Sequence, residues 1–462
     1  MQDGLPYPQR IWAVVTVGLA LTMAVMDSAI ANVALPTIAR EFHAAPSTSV
    51  WIVNGYQLAI TISLLPLAAA GDIIGYRRVY LVGLILFTIA SLACALSPSL
   101  PWLASARVLQ GFGAAGIMSV NSALVRFIYP HRLLGRGIGI NAVVVAISAA
   151  MGPTVASGIL SVANWPWLFA VNVPIGIAAY FIGRVALPLT PSAKHSFDSV
   201  SAVLSALSFG LLIAAIDTIG HGERLWLAAV EVAALIVSGT LLVRRQFGKP
   251  APMLPVDLLR IPMFSLSVGT SICSFCAQML ALVSLPFFLQ GALHFSAVQT
   301  GLLITPWPLA IAVAAPIAGH LADKYPAGLL GGIGLVLFAL GLFFLAHMPI
   351  DARATDIIWR MAVTGIGFGL FQSPNNRAMI GSAPRERSGG ASGMLGTARL
   401  LGQTTGAALA ALIFARSGEH GERIALYLAA AIALAAAFVS TARLMERTAA
   451  RPLADSESAV ID

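Results

Sequence analysis

Long apolar runs follow one another along the 462-residue chain, separated by short polar stretches. Each run is long enough to cross a hydrocarbon core of about 30 Å as a helix. The pattern predicts fourteen membrane spans, so we expect an all-α membrane protein. The predicted spans are residues 11–35, 50–70, 78–97, 101–127, 137–160, 167–187, 199–219, 225–244, 263–289, 299–320, 328–348, 356–380, 390–415 and 423–444.

Composition and charge support this class and indicate an orientation. Hydrophobic residues make up 58% of the chain and charged residues 10%, against about 25% charged in soluble domains. The net charge of +8 would indicate nucleic-acid binding in a soluble protein, but 19 of the 27 Lys and Arg fall on the side of the N-terminus and 5 on the other. The positive-inside rule therefore predicts a multi-pass membrane protein with both termini cytoplasmic and no nucleic-acid partner.

The sequence offers little chemistry for an enzyme. Cys94, Cys273 and Cys276 lie in apolar runs, and the Cys-x-x-Cys pair has no neighbouring His or further Cys, so we interpret all three as buried small residues. There is no nucleotide-binding loop or metal-ligand cluster in the sequence, and all eight His fall in loops or near span ends. We expect neither a catalytic residue nor a metal site.

The chain also repeats itself. RVLQGFGAAGIMSVNSA (107–123) aligns without gaps with RMAVTGIGFGLFQSPNN (360–376), at an offset of 253. Two halves of parallel orientation are typical of transporters whose substrate site lies between them. We predict a six-helix bundle at 1–195, an inserted helix pair at 196–250, a second bundle at 251–445 and a disordered cytoplasmic tail at 446–462.

Two opposite charges lie inside predicted spans of the first half. Asp27 is in the first span, nine residues before Pro36, where we expect the helix to end, and Arg107 is in the fourth. A carboxylate at membrane depth costs about 2.5–3.5 kcal/mol unless it is protonated, paired or hydrated. We interpret Asp27 as a proton carrier, with Gln110, one turn after Arg107, holding either charge in place. A static ion pair and a helix-end hydrogen bond are the alternatives.

Several motifs together resemble one family. GDIIGYRR (71–78), RVLQGFGAAG (107–116) and MGPTVASG (151–158) resemble the major facilitator superfamily. MDSAIANVALP (26–36), WIVNGYQL (51–58), WPWLFAVNVPIG (165–176) and ASGMLGTARLLGQTTG (391–406) are similar to its 14-helix drug:proton antiporters. The resemblance implies a major facilitator fold of two six-helix bundles plus two inserted helices. It also implies proton-driven export of drug-like compounds across a bacterial inner membrane, with protons as the coupling ion and no cofactor.

The resemblance also assigns roles to two groups of residues. It implies a conformational gate in the loop after the second span and its copy after the tenth, and an antiporter motif in the fifth span, where small residues permit close helix packing. Charges that set topology, helix capping and ordinary packing are the alternatives. The gate residues are Gly71, Asp72, Gly75, Arg77, Arg78 and Asp323; the motif residues are Gly139, Gly152, Pro153 and Gly158.

Polar and aromatic residues of the central spans are candidates for the wall of a substrate cavity. Apolar walls with a few polar groups suit lipophilic solutes, although each residue is equally compatible with an interhelical hydrogen bond or with packing. Arg399 either faces the cavity or extends toward the membrane surface. The candidates are Asn54, Gln57, Phe275, Gln278, Trp307, Phe371, Gln372, Asn375, Asn376 and Arg399.

Acidic residues bear on the substrate. Relatives that export multiply charged cations carry an acid at the position of Asn54 and another in the tenth span, where this chain has neither. We therefore expect a monomeric exporter of lipophilic neutral or monovalent cationic small molecules. Export of an endogenous metabolite, siderophore or lipid-like molecule is one alternative, and a membrane sensor or scaffold is another.

Overall fold

Long helices account for most of the protein. The computed structural model describes residues 4–190, 197–222, 225–247, 254–384 and 387–458, and within these ranges it has fourteen long helices, which confirms the predicted all-α class. We number them α1 (Tyr7–Glu41), α2 (Trp51–Ile74), α3 (Tyr76–Ala95), α4 (Leu100–Ile128), α5 (Leu134–Val162), α6 (Trp167–Ala170 and Asn172–Ala186), α7 (Ser199–His221), α8 (Leu225–Gln246), α9 (Pro262–Phe287), α10 (Ala297–Ile304 and Pro306–Leu321), α11 (Ala327–Ala346), α12 (Ala354–Ser382), α13 (Ser388–Ser417) and α14 (Gly421–Ser458).

Thirteen of the described helices are long and apolar enough to cross a membrane. The remaining predicted span, residues 356–380, corresponds to α12, which carries Asp356, Arg360 and Arg377 near its two ends. These charges lower its hydropathy without interrupting the helix, because they leave an apolar stretch between them. The first helix also differs from expectation: Pro36 does not end α1, which continues to Glu41.

Local signals explain several helix ends. Ser99 caps α4, its side chain accepting a hydrogen bond from the Trp102 backbone N–H at 3.4 Å, and Pro101 occupies the first turn. Ser296 and Gln299 form a reciprocal capping box at the start of α10. Gly75 separates α2 from α3 with a φ of +95°, a conformation that favours glycine.

The described residues group into two compact units. Unit 1 comprises residues 1–253, 282–305 and 407–422, and unit 2 comprises residues 254–281, 306–406 and 423–462. This division differs from the predicted bundles, because two segments of the second half and the inserted pair α7–α8 pack with the first half. Gln290 shows the reason: its amide donates to the Val33 carbonyl at 3.1 Å and accepts from Thr37 at 3.3 Å and Arg40 at 3.2 Å.

The inserted pair also packs inside unit 1. The Trp51 indole donates to Asp217 of α7 at 3.2 Å. Arg416, at the end of α13, donates to the Gly220 carbonyl at 2.8 Å. Helix α7 is therefore fixed to α2 and to the end of α13 through polar contacts.

At the end of the chain, helix α14 continues through Ser458. It thus enters the segment for which the sequence predicts a disordered tail. That segment contains Pro452, which cannot donate a backbone hydrogen bond inside a helix, and the disordered tail stays a prediction. Residues 459–462 lie outside the described residues.

Within each half, glycines allow two neighbouring helices to approach closely, and the two helix pairs occupy corresponding positions in the repeat. A Cβ on Gly83 of α3 would lie 2.9 Å from the Gly116 Cα, and a Cβ on Gly113 would meet the Phe87 backbone. In the second half, a Cβ on Gly334 of α11 would lie 2.6 Å from the Phe371 nitrogen. The internal repeat therefore includes the packing of α3 on α4 and of α11 on α12.

We expect Gly113→Ala to lower the free energy of unfolding by about 1–3 kcal/mol, because the added methyl must displace the Phe87 backbone. Gly210→Ala in α7 is the matched control, since nothing lies within 4 Å of its Cβ position. This control should be neutral or gain about 0.5–1 kcal/mol from helix propensity. Thermal unfolding of both variants in detergent measures the difference, and equal stabilities would contradict the close approach.

Candidate functional site

Asp27 is buried at the centre of a polar cluster in unit 1, with 1% of its surface exposed. Arg107 Nη1 forms an ion pair with Asp27 Oδ2. The Gln110 side-chain amide donates to Asp27 Oδ1 at 2.9 Å, and the Asn172 amide donates to the same oxygen at 3.0 Å. The structure thus brings together Asp27, Arg107 and Gln110, as expected from the sequence, and adds Asn172 of α6.

Arg107 is fully buried and held by several partners at once. Its Nε donates to the Ile52 carbonyl at 3.0 Å, and Nη1 also donates to Gln110 Oε1 at 2.6 Å. The guanidinium carbon lies 4.1 Å from the centre of the Tyr56 ring and 5.5 Å from that of Phe169, within reach of a cation–π interaction. These contacts leave the guanidinium one principal ionic partner, the Asp27 carboxylate.

Sequence reasoning missed three members of this cluster. Asn172, Ser91 and Tyr56 are uncharged and so did not stand out in their spans. Ser91 accepts from the Gln110 amide at 2.9 Å, and the Tyr56 hydroxyl donates to the Ala24 carbonyl at 2.8 Å. The available signal was position, since Asn172 lies within the quoted stretch 165–176 and Tyr56 within 51–58.

The side chains of the loop after α2 bond to groups within unit 1. The Tyr76 hydroxyl donates to Asp72 at 2.5 Å, while Arg77 donates to the Arg184 carbonyl and Arg78 is exposed. A Cβ on Gly71 would lie 2.6 Å from the Val120 side chain, so Gly71 permits close packing on α4. In the second copy of this loop, Asp323 pairs with Arg377, and the two side chains are 59% and 58% exposed.

The antiporter motif of α5 divides into a packed part and an open part. A Cβ on Gly152 would lie 2.5 Å from the Ala29 methyl, so α5 touches α1 near Asp27. Gly139 and Gly158 have nothing within 4 Å of their Cβ positions, which corrects the expectation of close packing there. Instead, the close contact next to Pro153 is with Gly301 of α10, a glycine that the sequence did not single out.

Two cavity candidates belong to α2 in unit 1. Asn54 and Gln57 are both buried, and Gln57 donates to the Ser28 hydroxyl at 3.4 Å. Both face the interior of the unit in which the Asp27 cluster lies.

Three aromatic candidates of unit 2 are packed in a single cluster with Phe338 and Phe368. Ring centres lie 5.3 Å apart for Phe275 and Phe368, 6.1 Å for Phe368 and Phe371, and 5.9 Å for Trp307 and Phe338. All of these side chains are buried. The structure therefore places Phe275, Trp307 and Phe371 in interhelical packing.

The polar candidates of unit 2 differ in exposure. Asn375 is buried and donates to the Ser271 hydroxyl at 2.8 Å, so it joins α12 to α9. The remaining four are half-buried: Gln278, Gln372, Asn376 and Arg399.

The described residues contain no group of three or more His, Cys, Asp or Glu that could hold a metal ion. The buried cluster can accommodate the negative charge of the Asp27 carboxylate. A carboxylate with three side-chain donors is well satisfied as an anion. A proton added to it would remove the negative charge that Arg107 pairs with and would leave one acceptor site fewer for the same three donors.

Comparison with known proteins gives a consistent family. The model of the Major Facilitator Superfamily matches residues 17–348 and 266–459. The chain is 57% identical over 446 residues to "Uncharacterized transporter YebQ" of Escherichia coli (strain K12), covering 96% of this chain and 98% of that protein. It is 30% identical over 417 residues to "Riboflavin transporter RibZ" of Clostridioides difficile (strain 630), covering 90% of each chain.

A further relative and a solved structure extend the comparison. The chain is 32% identical over 431 residues to "Multidrug resistance protein Stp" of Mycobacterium tuberculosis (strain CDC 1551 / Oshkosh), covering 90% of this chain and 78% of that protein. A bacterial homologue of the human lysosomal transporter Spinster matches with a TM-score of 0.68 at 15% identity, covering 95% of this chain and 97% of that one. At this identity the structural match supports the fold alone.

A double-mutant cycle tests the buried pair. Asp27→Asn or Arg107→Gln alone should lower the free energy of unfolding by about 3–5 kcal/mol, because each leaves the other charge buried and unpaired. The double variant should lose less than the sum of the two, with a coupling of about 0.5–3 kcal/mol. Asp323→Asn with Arg377→Gln is the control cycle, where solvent screens both charges and the coupling should be small. Additive losses at Asp27 and Arg107 would show that the pair is not coupled.

Proposed function

The chain belongs to the major facilitator superfamily and is a multi-pass membrane transporter, and we propose that it exports lipophilic neutral or monovalent cationic compounds in exchange for protons. The observation that carries the proposal is the buried Asp27 cluster, in which one carboxylate meets Arg107, Gln110 and Asn172. An ionisable group at membrane depth is by default a functional site. Export would proceed from the cytoplasm across the bacterial inner membrane by alternating access.

Proton binding would act by changing the partners of Arg107. The ionised carboxylate offers four lone-pair sites to its three donors, and the protonated acid offers fewer. The guanidinium would then lose its principal counter-charge and pull on the Ile52 carbonyl and the Gln110 amide, both of which it already contacts. Since these groups belong to α2 and α4, the proton would shift helices and not only one side chain.

Contacts at the predicted outer ends of helices would have to break for release to the outside. Gln290 joins residue 33 and two side chains of α1, and the Ser157 hydroxyl donates to the Val298 carbonyl at 2.8 Å. Thr154 and Thr305 lie within hydrogen-bond distance at 2.9 Å. These bonds join α1 and α5 to residues 282–305, and each is worth only about 0.5–1.5 kcal/mol net, so the set is reversible.

The number of acidic residues in the candidate site bears on the charge of the substrate. Asn54 is neutral and α10 has no Asp or Glu, which leaves Asp27 as the carboxylate that we assign to coupling. One acid matches one proton exchanged for a neutral or singly charged molecule. The relatives include both a multidrug resistance protein and a riboflavin transporter, so export of an endogenous metabolite is the second candidate. A sensor or scaffold would require no proton movement.

We expect Asp27→Asn to abolish efflux driven by a pH gradient while the protein still inserts, because the amide cannot bind and release the proton. Asp217→Asn, at the far end of α7, is the matched control and should keep its transport. Efflux of fluorescent lipophilic cations from proteoliposomes with an imposed pH gradient measures both. Retained pH-driven efflux in Asp27→Asn would refute the assignment, and loss in both variants would point to a structural cause.

The charge moved per cycle separates substrate classes. Exchange of one proton for one monovalent cation moves no net charge, so only the pH gradient acts, at about 1.4 kcal/mol per pH unit. A neutral compound would gain a further 2.3 kcal/mol or so per 100 mV of membrane potential. Collapsing the potential at constant pH gradient should leave cation efflux unchanged and slow that of a neutral compound. Equal inhibition of both would contradict one-for-one exchange.

A further inference from the structure

A cavity of about 540 Å³ opens at one end of unit 2, on the face that the distribution of basic residues predicts to be cytoplasmic. The loop between α10 and α11 forms one wall, and the end of α12 and the middle of α14 contribute further lining residues. The charged side chains that line it are Asp323, Lys324, Arg377 and Arg443. It lies in a different unit from the Asp27 cluster, and its lining includes the exposed Asp323–Arg377 pair of the second loop copy.

Arg443 is the unusual member of this cavity. Its side chain is 1% exposed, and none of its three guanidinium nitrogens has a hydrogen-bond partner among the described residues. Arg107, which is buried to the same extent, has an ionic partner and two further acceptors. A buried cation ordinarily needs a counter-charge. The described residues do not supply one to Arg443, which is among the residues that line the cavity.

The rest of the cavity is also suited to an anion. Asp323 is paired with Arg377, so its charge is already offset. Lys324 is exposed at the rim. Helix α11, twenty residues long, begins at the cavity wall with Pro326, Ala327 and Gly328, and its N-cap makes no side-chain hydrogen bond. Its first backbone N–H groups are thus without a side-chain acceptor, and a helix N-terminus favours negative charge.

We propose that this cavity binds a phosphate-bearing anion, with the Arg443 guanidinium as its main contact and Lys324 and the α11 N-terminus as further donors. A guanidinium presents a planar fork that matches phosphate oxygens in bidentate geometry. A cavity of this volume exceeds what a monatomic ion would fill. Two sources share the chemistry: the headgroup of an anionic phospholipid, since basic pockets near the cytoplasmic face take such headgroups, and a soluble phosphate.

The test uses the full-length protein purified in detergent. Native mass spectrometry counts bound phosphatidylglycerol, with a diacylglycerol of the same chains as the phosphate-free comparison, and calorimetry measures inorganic phosphate. The wild type should bind at least one of the two phosphate probes. Arg443→Gln should weaken that binding about tenfold, the loss expected for one charge-assisted contact. Arg443→Lys should keep part of it, because it retains the charge without the fork.

Arg132→Gln is the matched control, since Arg132 is exposed on the same predicted face but in unit 1. It should leave binding unchanged.

Lys324→Gln, a change at an exposed position that the fold tolerates, provides a second variant if Arg443→Gln fails to purify as a monodisperse species. It should also weaken binding. Binding of phosphatidylglycerol alone identifies a lipid headgroup, and binding of inorganic phosphate identifies a soluble anion. Equal affinities of wild type and both variants, or equal retention of diacylglycerol, would overturn the proposal.

Discussion

The ion pair between Asp27 and Arg107 is the constraint on which the first half of the protein depends. Neither charge is exposed, so each is tolerable only while the other is in place. An uncompensated buried charge costs several kcal/mol, which is comparable to the whole stability of many domains. The pair recruits one group from each of several helices: Asn172 from α6, the Ile52 carbonyl from α2, and Gln110 from α4 itself. Groups from four helices, α1, α2, α4 and α6, therefore stabilise the same buried ion pair.

The internal repeat does not extend to this ion pair, because only the first half has an acid opposite the repeated arginine. Arg360 corresponds to Arg107, yet it pairs with Asp356 of its own helix at 3.7 Å and lies over Trp359. Counting the same offset from Asp27 leads to Leu280, which is buried in the core of unit 2. Both copies kept the arginine, and only the first has an acid opposite. Unit 2 therefore has the buried, uncharged Leu280 at the position that Asp27 occupies in the first half.

Features that are rare in membrane helices could be predicted from the sequence, whereas features with many uses could not. Charges inside apolar runs are costly, so Asp27 and Arg107 were found together with Gln110, one turn away. Asn172 was missed, because a neutral amide in a span has many uses. Periodicity also does not tell which neighbour a helix face meets: Phe275 looked like a cavity wall and is packed on Phe368. Close approach depends on the partner helix, which is why Gly158 has open space beside it and Gly301 does not.

Helix α5 packs against α1 close to Asp27. Gly152 leaves no room between α5 and Ala29, which is two residues from Asp27 on α1. Further along the same helix, Ser157 and Thr154 bond to Val298 and Thr305. A helix that is packed on both sides moves as a rigid body, because close-packed interfaces change between discrete arrangements and do not deform continuously. Any displacement of α1 that follows a change at Asp27 must therefore either break the Gly152 contact or carry α5, and with it the bonds to residues 297–305.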